Sequence, residues 1–398
     1  MSNKTIHTTS MKTLIKNNIR NYSMFIMLAL IMIIFAVLTK GVNLNPRNFY
    51  NIFYQYSYVF ILAIGMVMVI IVQGIDLSVG SVVAFIGALS VMIYNAGFGM
   101  PITILAALVM GAGVGAYQGV WVAYGKLPAF IVTLSGMLLF RGLTYIVTKV
   151  TPFIPKDDTY SLISKGTLDE MMKLEKIGPY FPMSFVVAII LLIIFYVMEI
   201  YNRRKKIANE FEVTPILLFV AKLVLISLLT LGLADRFARY LGLPVIVLVL
   251  GITILLFYFI LNNTVLGRYI YAVGGNPRSA KLSGINSELV TFTVFCFMGT
   301  LTGLAAVVYT ARMNTALADA GFMFELDAIA ACYIGGVSAG GGIGSVIGVF
   351  IGGLVMSAIN NGMSLMNLGN HYQFVLKALI LLLAVFYDVY TRRKAGLG

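Results

Sequence analysis

Apolar residues run along this chain in blocks of about 20, the helix length that crosses a hydrocarbon core. The blocks fall at 22–39, 57–73, 79–95, 101–123, 129–148, 183–201, 215–233, 244–262, 289–311, 326–338, 343–362 and 372–390. They predict about twelve membrane-spanning helices, of which 326–338 is short enough to be a half-span. The segments 215–233 and 244–262 carry almost no polar groups, as expected of helices that face lipid.

The apolar pattern is interrupted twice. Gln73-Gly74-Ile75-Asp76-Leu77-Ser78-Val79-Gly80-Ser81 sets a carboxylate and two glycines into an otherwise apolar run from Tyr58 to Tyr94. An Asp at the centre of a spanning helix costs about 2.5–3.5 kcal/mol on insertion scales. Irregular backbone at that depth persists only where protein or a water-filled cavity satisfies it. The second break is Gly335-Gly336-Val337-Ser338-Ala339-Gly340-Gly341-Gly342-Ile343-Gly344-Ser345. Each break precedes a small-residue apolar helix, and corresponding interruptions in two parts of a transporter point to its substrate path.

Composition sharpens the class. Of 398 residues, 60% are hydrophobic and 11% charged, against about 25% charged in soluble domains. The chain is read as an all-α polytopic membrane protein. Its net charge of +13 does not indicate nucleic acid. The basic residues gather at Lys4, Lys12, Lys16 and Arg20, at 203–206, at Arg268, Arg278 and Lys281, and at 392–394. Short clusters of this kind follow the positive-inside pattern. All four lie on one side only with an even number of crossings, which puts both termini in the cytoplasm. The first apolar run ends Leu38-Thr39-Lys40-Gly41, without a small-residue cleavage site, and predicts an uncleaved first span.

Three polar stretches stand out. Residues 149–182 form an extracytoplasmic insertion with near-balanced charge (Lys156, Asp157, Asp158, Asp169, Glu170, Glu175, Lys176). It is either a solvated loop or a surface that helps receive an extracellular partner. Leu168, Met171, Met172 and Leu174 give 167–176 a partial helical stripe. Residues 202–214 form a basic cytoplasmic loop. In the cytoplasmic loop 263–288, Asn276 is a suitable N-cap, Pro277 a suitable first helical residue and Gly284 a suitable terminator, which predicts a helix over 277–283. That helix is either an ordinary capped loop element or a docking element that transmits motion from a cytoplasmic partner.

Other chemistry is sparse. Cys296 and Cys332 sit in apolar segments, and His7 and His371 are the two histidines, so no metal-ligand spacing and no catalytic constellation appears. Gly111-Ala112-Gly113-Val114-Gly115-Ala116 fits a dinucleotide fingerprint, but it lacks the preceding strand and downstream acid that the chemistry needs. The run 340–345 lacks a P-loop lysine. Glycines at 111, 115 and 119, and at 340, 344, 348 and 352, instead predict helix faces that pack closely. Gln73, Asp76, Ser78, Ser338, Asn360 and Asn361 are candidates for a translocation path or gate. Asp76 could alternatively cap the helix that begins near Ser78. Asn360 and Asn361 suit either interhelical hydrogen bonds or the hydroxyls of a transported solute. Lys377 either snorkels or pairs with Asp327, and Arg141 packs or snorkels.

Several of these segments occur in a recognisable order. They are Gly74–Gly80, Gly275-Asn276-Pro277 through Ser283-Gly284-Ile285, Ile334-Gly335-Gly336 through Gly344-Ser345, and Asn360-Asn361-Gly362 followed by Lys377-Ala378-Leu379. Together they resemble the permease subunit of ABC importers for monosaccharides, of the ribose/galactose/xylose branch. The stretch around 155–240 makes the length more like the xylose and multiple-monosaccharide permeases. The resemblance implies one permease domain over 1–398, a bundle of about 10–12 spans with broken or re-entrant helices, and a homodimeric pore. It also implies cytoplasmic ATPase subunits that use ATP and magnesium, an extracytoplasmic sugar-binding protein, and no cofactor bound by the permease itself. On that basis Gly275, Asn276, Pro277, Ala280, Leu282, Ser283, Gly284 and Ile285 form the coupling segment. An ion-driven secondary transporter is the competing expectation, with Asp76 and Asp327 as its candidate acids.

Overall fold

The computed structural model describes residues 11–394; Lys4 and His7 lie outside them. In chain order the helices are α1 (Met11–Leu38), α2 (Pro46–Ile71), α3 (Val79–Asn95), α4 (Met100–Gly119), α5 (Ala129–Thr148), α6 (Leu162–Lys165), α7 (Leu168–Met171) and α8 (Met183–Ala208). They continue as α9 (Ile216–Ala238), α10 (Val245–Asn263), α11 (Val265–Gly275), α12 (Pro277–Leu282), α13 (Ser287–Met313), α14 (Phe324–Ile334), α15 (Val346–Leu365) and α16 (Asn370–Lys394). Among the described residues, 8 helices are long and apolar enough to cross a membrane, and Met24–Leu38, α3 and His371–Leu383 add shorter apolar segments. The segment expected as a half-span forms the short α14, with 11 residues. Every predicted apolar segment is thus a helix.

Four local expectations are corrected. The basic residues 203–206 are not in a loop: α8 continues through them to Ala208, where cations favour a helix C-terminus. The supposed loop from 263 is largely helical, because Thr264 accepts a hydrogen bond from the Gly267 N–H (3.1 Å) and starts α11. The stripe at 167–176 yields only the single turn α7, which ends as Lys173 turns left-handed (φ 52°). Gly340 and Gly344 do not share a helix face with Gly348 and Gly352, since α15 begins only at Val346, capped by the Ser345 hydroxyl on the Gly348 N–H (3.0 Å).

The chain divides into two compact units. One comprises Met1–Ser23, Leu44–Tyr50 and Thr167–Pro244. Within it α8 and α9 pair through a Lys222–Glu199 ion pair (2.7 Å) and a Tyr196–Ser227 hydrogen bond. Few of the apolar side chains on either helix are buried, as expected of α9 from its composition. The buried Asp169 carboxylate accepts from the N–H groups of Met183 (3.0 Å) and Leu243 (3.3 Å).

The other unit comprises Met24–Asn43, Asn51–Gly166 and Val245–Gly398. Its centre is α2, buried at every residue from Ser57 to Ile71. Met298 and Leu301 of α13 close on Gly65, Phe350 of α15 packs on Phe60 (5.3 Å between rings), and Phe324 stacks on Tyr58 (4.1 Å). The α4 glycines do make a close helix contact. A Cβ on Gly111 would run into the Gly299 carbonyl oxygen, and one on Gly115 into the Phe295 carbonyl oxygen, both on α13. In lipid, where no hydrophobic force joins helices, such backbone approach supplies the packing. α10 is less lipid-facing than its composition suggests: Ile246, Leu250, Thr253, Phe257 and Leu261 form a buried stripe.

Candidate translocation and coupling site

The first break starts where α2 ends. Gln73 takes a left-handed conformation (φ 64°), and the Gly74 N–H donates to the Val69 carbonyl (2.8 Å). Asp76 is 3% exposed. Its Oδ1 accepts from both the Ser78 N–H (2.8 Å) and the Ser78 hydroxyl (2.7 Å). Gln118 of α4 donates to Ser78 Oγ (2.6 Å), and Thr133 of α5 donates to the Ile75 carbonyl (3.1 Å). Asp76 therefore fixes the turn that delivers the chain to α3, rather than capping an N–H inside the first turn. The carboxylate is satisfied locally, and three helices hold the irregular backbone, as a break at membrane depth requires.

Immediately after this turn the backbone of Gly80 touches that of Gly321, just ahead of α14. A Cβ at Gly80 would also stand 2.7 Å from the Glu325 carboxylate. Glu325 is an acid that the sequence pattern did not single out. Arg141 neither snorkels nor merely packs. It donates to the carbonyls of Ala318 and Ala320, each at 2.7 Å, and so holds the segment that leads into α14. Lys377 of α16 pairs with Asp327 at 2.8 Å, as one of its two expected roles requires.

The second break follows α14. Ser338 is buried; its N–H donates to the Ile343 carbonyl and its own carbonyl accepts from the Gly341 N–H, both at 3.0 Å. Asn360 and Asn361 are buried too, but about 20 Å further along α15 by helical rise. The structure does not bring them to this break. Asn360 Oδ1 has no hydrogen-bond partner among the described residues.

The two breaks meet each other and the end of α11. The Gly342 N–H donates to the Ile71 carbonyl (2.9 Å), and Tyr271 of α11 donates to the Gly344 carbonyl (2.8 Å). The Gln73 carboxamide donates to the Gly274 carbonyl (2.8 Å) and the Gly340 carbonyl (3.2 Å). Gly342 sits at φ 73°, a conformation that suits glycine. A Cβ on Gly274 would overlap the Ile71 carbonyl oxygen. Three backbone segments thus converge on one junction.

Three residues beyond Gly274 begins α12. Asn276 caps it by accepting from the Ser279 N–H (3.0 Å), Pro277 is its first residue, and the chain leaves it at Gly284 with φ 81°. Ala280 is buried, the Ile285 N–H donates to the Ala280 carbonyl (3.1 Å), and Ser283 donates to the Ser279 carbonyl (3.0 Å). Leu282, by contrast, is 90% exposed. Beside it lies an open cleft of about 560 Å³ lined by residues that include Tyr124, Lys126, Lys281 and Glu288. Lys281 and Glu288 form an ion pair across 2.9 Å.

The first part of the 149–182 insertion is not a free loop. Tyr160, fully buried, shares a 2.6 Å hydrogen bond with Ser90 of α3. Tyr94 donates to Asp157 (2.6 Å), and the Asn95 side chain donates to the Ile154 carbonyl (2.9 Å) and accepts from the Lys156 N–H (2.8 Å). Phe153 and Ala316 exchange backbone hydrogen bonds of 2.8 and 3.0 Å. Among the described residues no group of three or more His, Cys, Asp or Glu side chains converges to hold a metal ion.

The family model described as branched-chain amino acid transport system / permease component matches residues 48–385. The xylose transport system permease protein of Haemophilus influenzae is 39% identical over 378 residues, 95% of this chain and 98% of that protein. The xylose permease of Escherichia coli is 37% identical over 381 residues, 94% of each chain. The ribose import permease protein of Escherichia coli is 34% identical over 363 residues, 91% of this chain and 92% of that one. No solved structure matches. These similarities span both breaks and α12, and they bear out the resemblance carried by the ordered motifs. With eight long apolar helices and a family match from the start of α2 into α16, the chain is a multi-pass membrane protein and belongs to the family of branched-chain amino acid transport system permease components.

Proposed function

We propose that this chain forms half of a homodimeric pore that carries a monosaccharide, of the xylose, galactose or ribose kind, across the cytoplasmic membrane. The chain is a transport subunit; the ATPase of such a system resides in a separate subunit. That partner hydrolyses ATP with magnesium and docks on α12. Both termini face the cytoplasm, and the 149–182 insertion faces outward to receive a sugar-binding protein. The observation that carries this reading is the capped α12, with Leu282 held in solvent, three residues from a junction that touches both breaks. ATP binding in a partner then needs only to favour one of two arrangements of the junction for the pore to change its accessible side.

A purified preparation tests it. Membranes solubilised in mild detergent should yield the permease together with an ATPase subunit. Uptake of labelled xylose into proteoliposomes should require ATP and a loaded binding protein. Replacing Gly284 by Val forces a β-branched residue into a left-handed turn. This variant should lose uptake at least tenfold while ATPase subunits still hydrolyse ATP. Accumulation that proceeds without ATP and collapses with an ionophore would favour an ion-driven carrier instead. In that scheme Asp76 and Asp327 are poor candidates, because Ser78 and Lys377 already engage them.

A further inference from the structure

We infer that Gln73 is a positioning residue for transport, whose carboxamide passes displacement of the coupling helix to both membrane breaks. This rests on the reading of α12 as the docking helix and goes beyond it by naming the contact. The Nε2 group has two protons and spends both on different elements. One goes to the Gly274 carbonyl at the end of α11, the other to the Gly340 carbonyl within the second break. Gln73 itself is the first residue beyond the end of α2 in a left-handed conformation, three positions before Asp76. One residue of the first break therefore bonds both of the other segments of the junction.

The backbone at this point argues that the side chain has a task. An unbranched L-residue at φ 64° is strained relative to glycine. A glycine at 73 would satisfy the turn with less strain, but it would leave the Gly274 and Gly340 carbonyls without these donors. The Gly342 N–H bond to the Ile71 carbonyl already joins the second break to α2. The Gln73 bond to Gly274 adds the segment that leads directly into α12. There is no slack to absorb movement: a Cβ at Gly341 would stand 2.5 Å from Gln73 Cγ and 2.8 Å from the Gly274 carbonyl oxygen. Contacts this close move together rather than deform. A shift of α12 thus pulls Gly274, and Gln73 carries it to the turn fixed by Asp76 and to the loop fixed by Ser338.

Two variants test the inference in the assembled transporter with its ATPase subunits. Q73E keeps the shape and removes both N–H donors. Q73G removes the side chain and relieves the strain, so its fold is expected to hold. Both are expected to purify with ATPase subunits in wild-type proportion and to unfold no more than a few degrees below wild type. Stimulation of ATP hydrolysis by xylose-loaded binding protein is expected to fall at least fivefold, and xylose carried per ATP at least tenfold. A merely structural role would lower yield or melting temperature and leave that ratio unchanged. Coupling within twofold of wild type in both variants overturns the inference alone. Failure of the wild-type permease to associate with any ATPase overturns the reading beneath it as well.

Discussion

The Lys377 ammonium stands 2.8 Å from the Asp327 carboxylate, and this ion pair joins α16 to the half-span α14. Asp327 is buried, and α14 is too short to be anchored by lipid on its own account. An acid so placed tolerates burial only with a partner.

Removing one member of a buried pair costs about 3–5 kcal/mol, because the other charge is left uncompensated. Lys377→Met is therefore expected to lower the melting temperature of the purified permease sharply, and Asp327→Asn less so, since the Lys377 ammonium it leaves unpaired is more exposed than the Asp327 carboxylate. The double variant is expected to recover more than half of the loss seen in Lys377→Met. A thermal-shift series in detergent over the four proteins measures this. Additive losses would show that the pair is not coupled and that each residue acts through separate packing.

The insertion offers a pH test. The Asp157 carboxylate accepts from the Tyr94 hydroxyl (2.6 Å) and the Thr159 N–H (3.0 Å), and these bonds hold it below the usual carboxylate range. Its folded value is lower than its unfolded one. The stabilisation is thus fully present above the ordinary aspartate value of about 3.9 and is lost as pH falls through the depressed folded value. Burial pushes the nearby Tyr160 phenol upward, so it stays protonated and keeps its hydrogen bond with Ser90 throughout. Hydrogen exchange of residues 153–161 is therefore expected to hold a constant protection between pH 5 and 8, after correction for intrinsic rates. Protection should fall only under strongly acid conditions, and Asp157→Asn should remove that acid limb. Loss of protection between pH 7 and 5 would assign control to another group.

Much of this arrangement was legible because it depends on local rules. A cap needs one side chain and an N–H three residues on, and Asn276 with Pro277 met that rule in the structure. Two opposite charges in apolar helices have few ways to be satisfied, which pointed Lys377 to Asp327. The junction was not legible, since its bonds join Gln73 to positions 201 and 267 residues away and end on carbonyls that any residue carries. Arg141 escaped for the same reason: its acceptors are the backbone of Ala318 and Ala320. Gly340 and Gly344 misled because an i+4 spacing also occurs in a loop, and only the Ser345 cap fixes where α15 starts. Glu325 is hard to read from the sequence because it sits at the very edge of the apolar run, in the first turn of α14.

The glycines of α4 allow a sharp comparison within one helix. Gly111 and Gly113 differ by two residues and so lie on different faces. A Cβ on Gly111 would collide with the Gly299 carbonyl and come within 3.1 Å of Gly303 Cα, both backbone atoms of α13 that cannot rotate away. At Gly113 nothing lies within 4 Å. Gly→Ala in an open helical position removes about 0.5–1 kcal/mol of conformational cost. Gly113→Ala is accordingly expected to leave the permease as stable as wild type or slightly more so. Gly111→Ala must part the two helices, and overpacking of this kind typically costs about 1–3 kcal/mol. α13 also packs along α3, whose first residues form one wall of the Asp76 break. The displacement should therefore reach transport as well as stability. Melting temperature and xylose uptake measured on the two variants decide the matter. Equal behaviour of Gly111→Ala and Gly113→Ala would mean that the close α4–α13 approach does not hold this part of the fold.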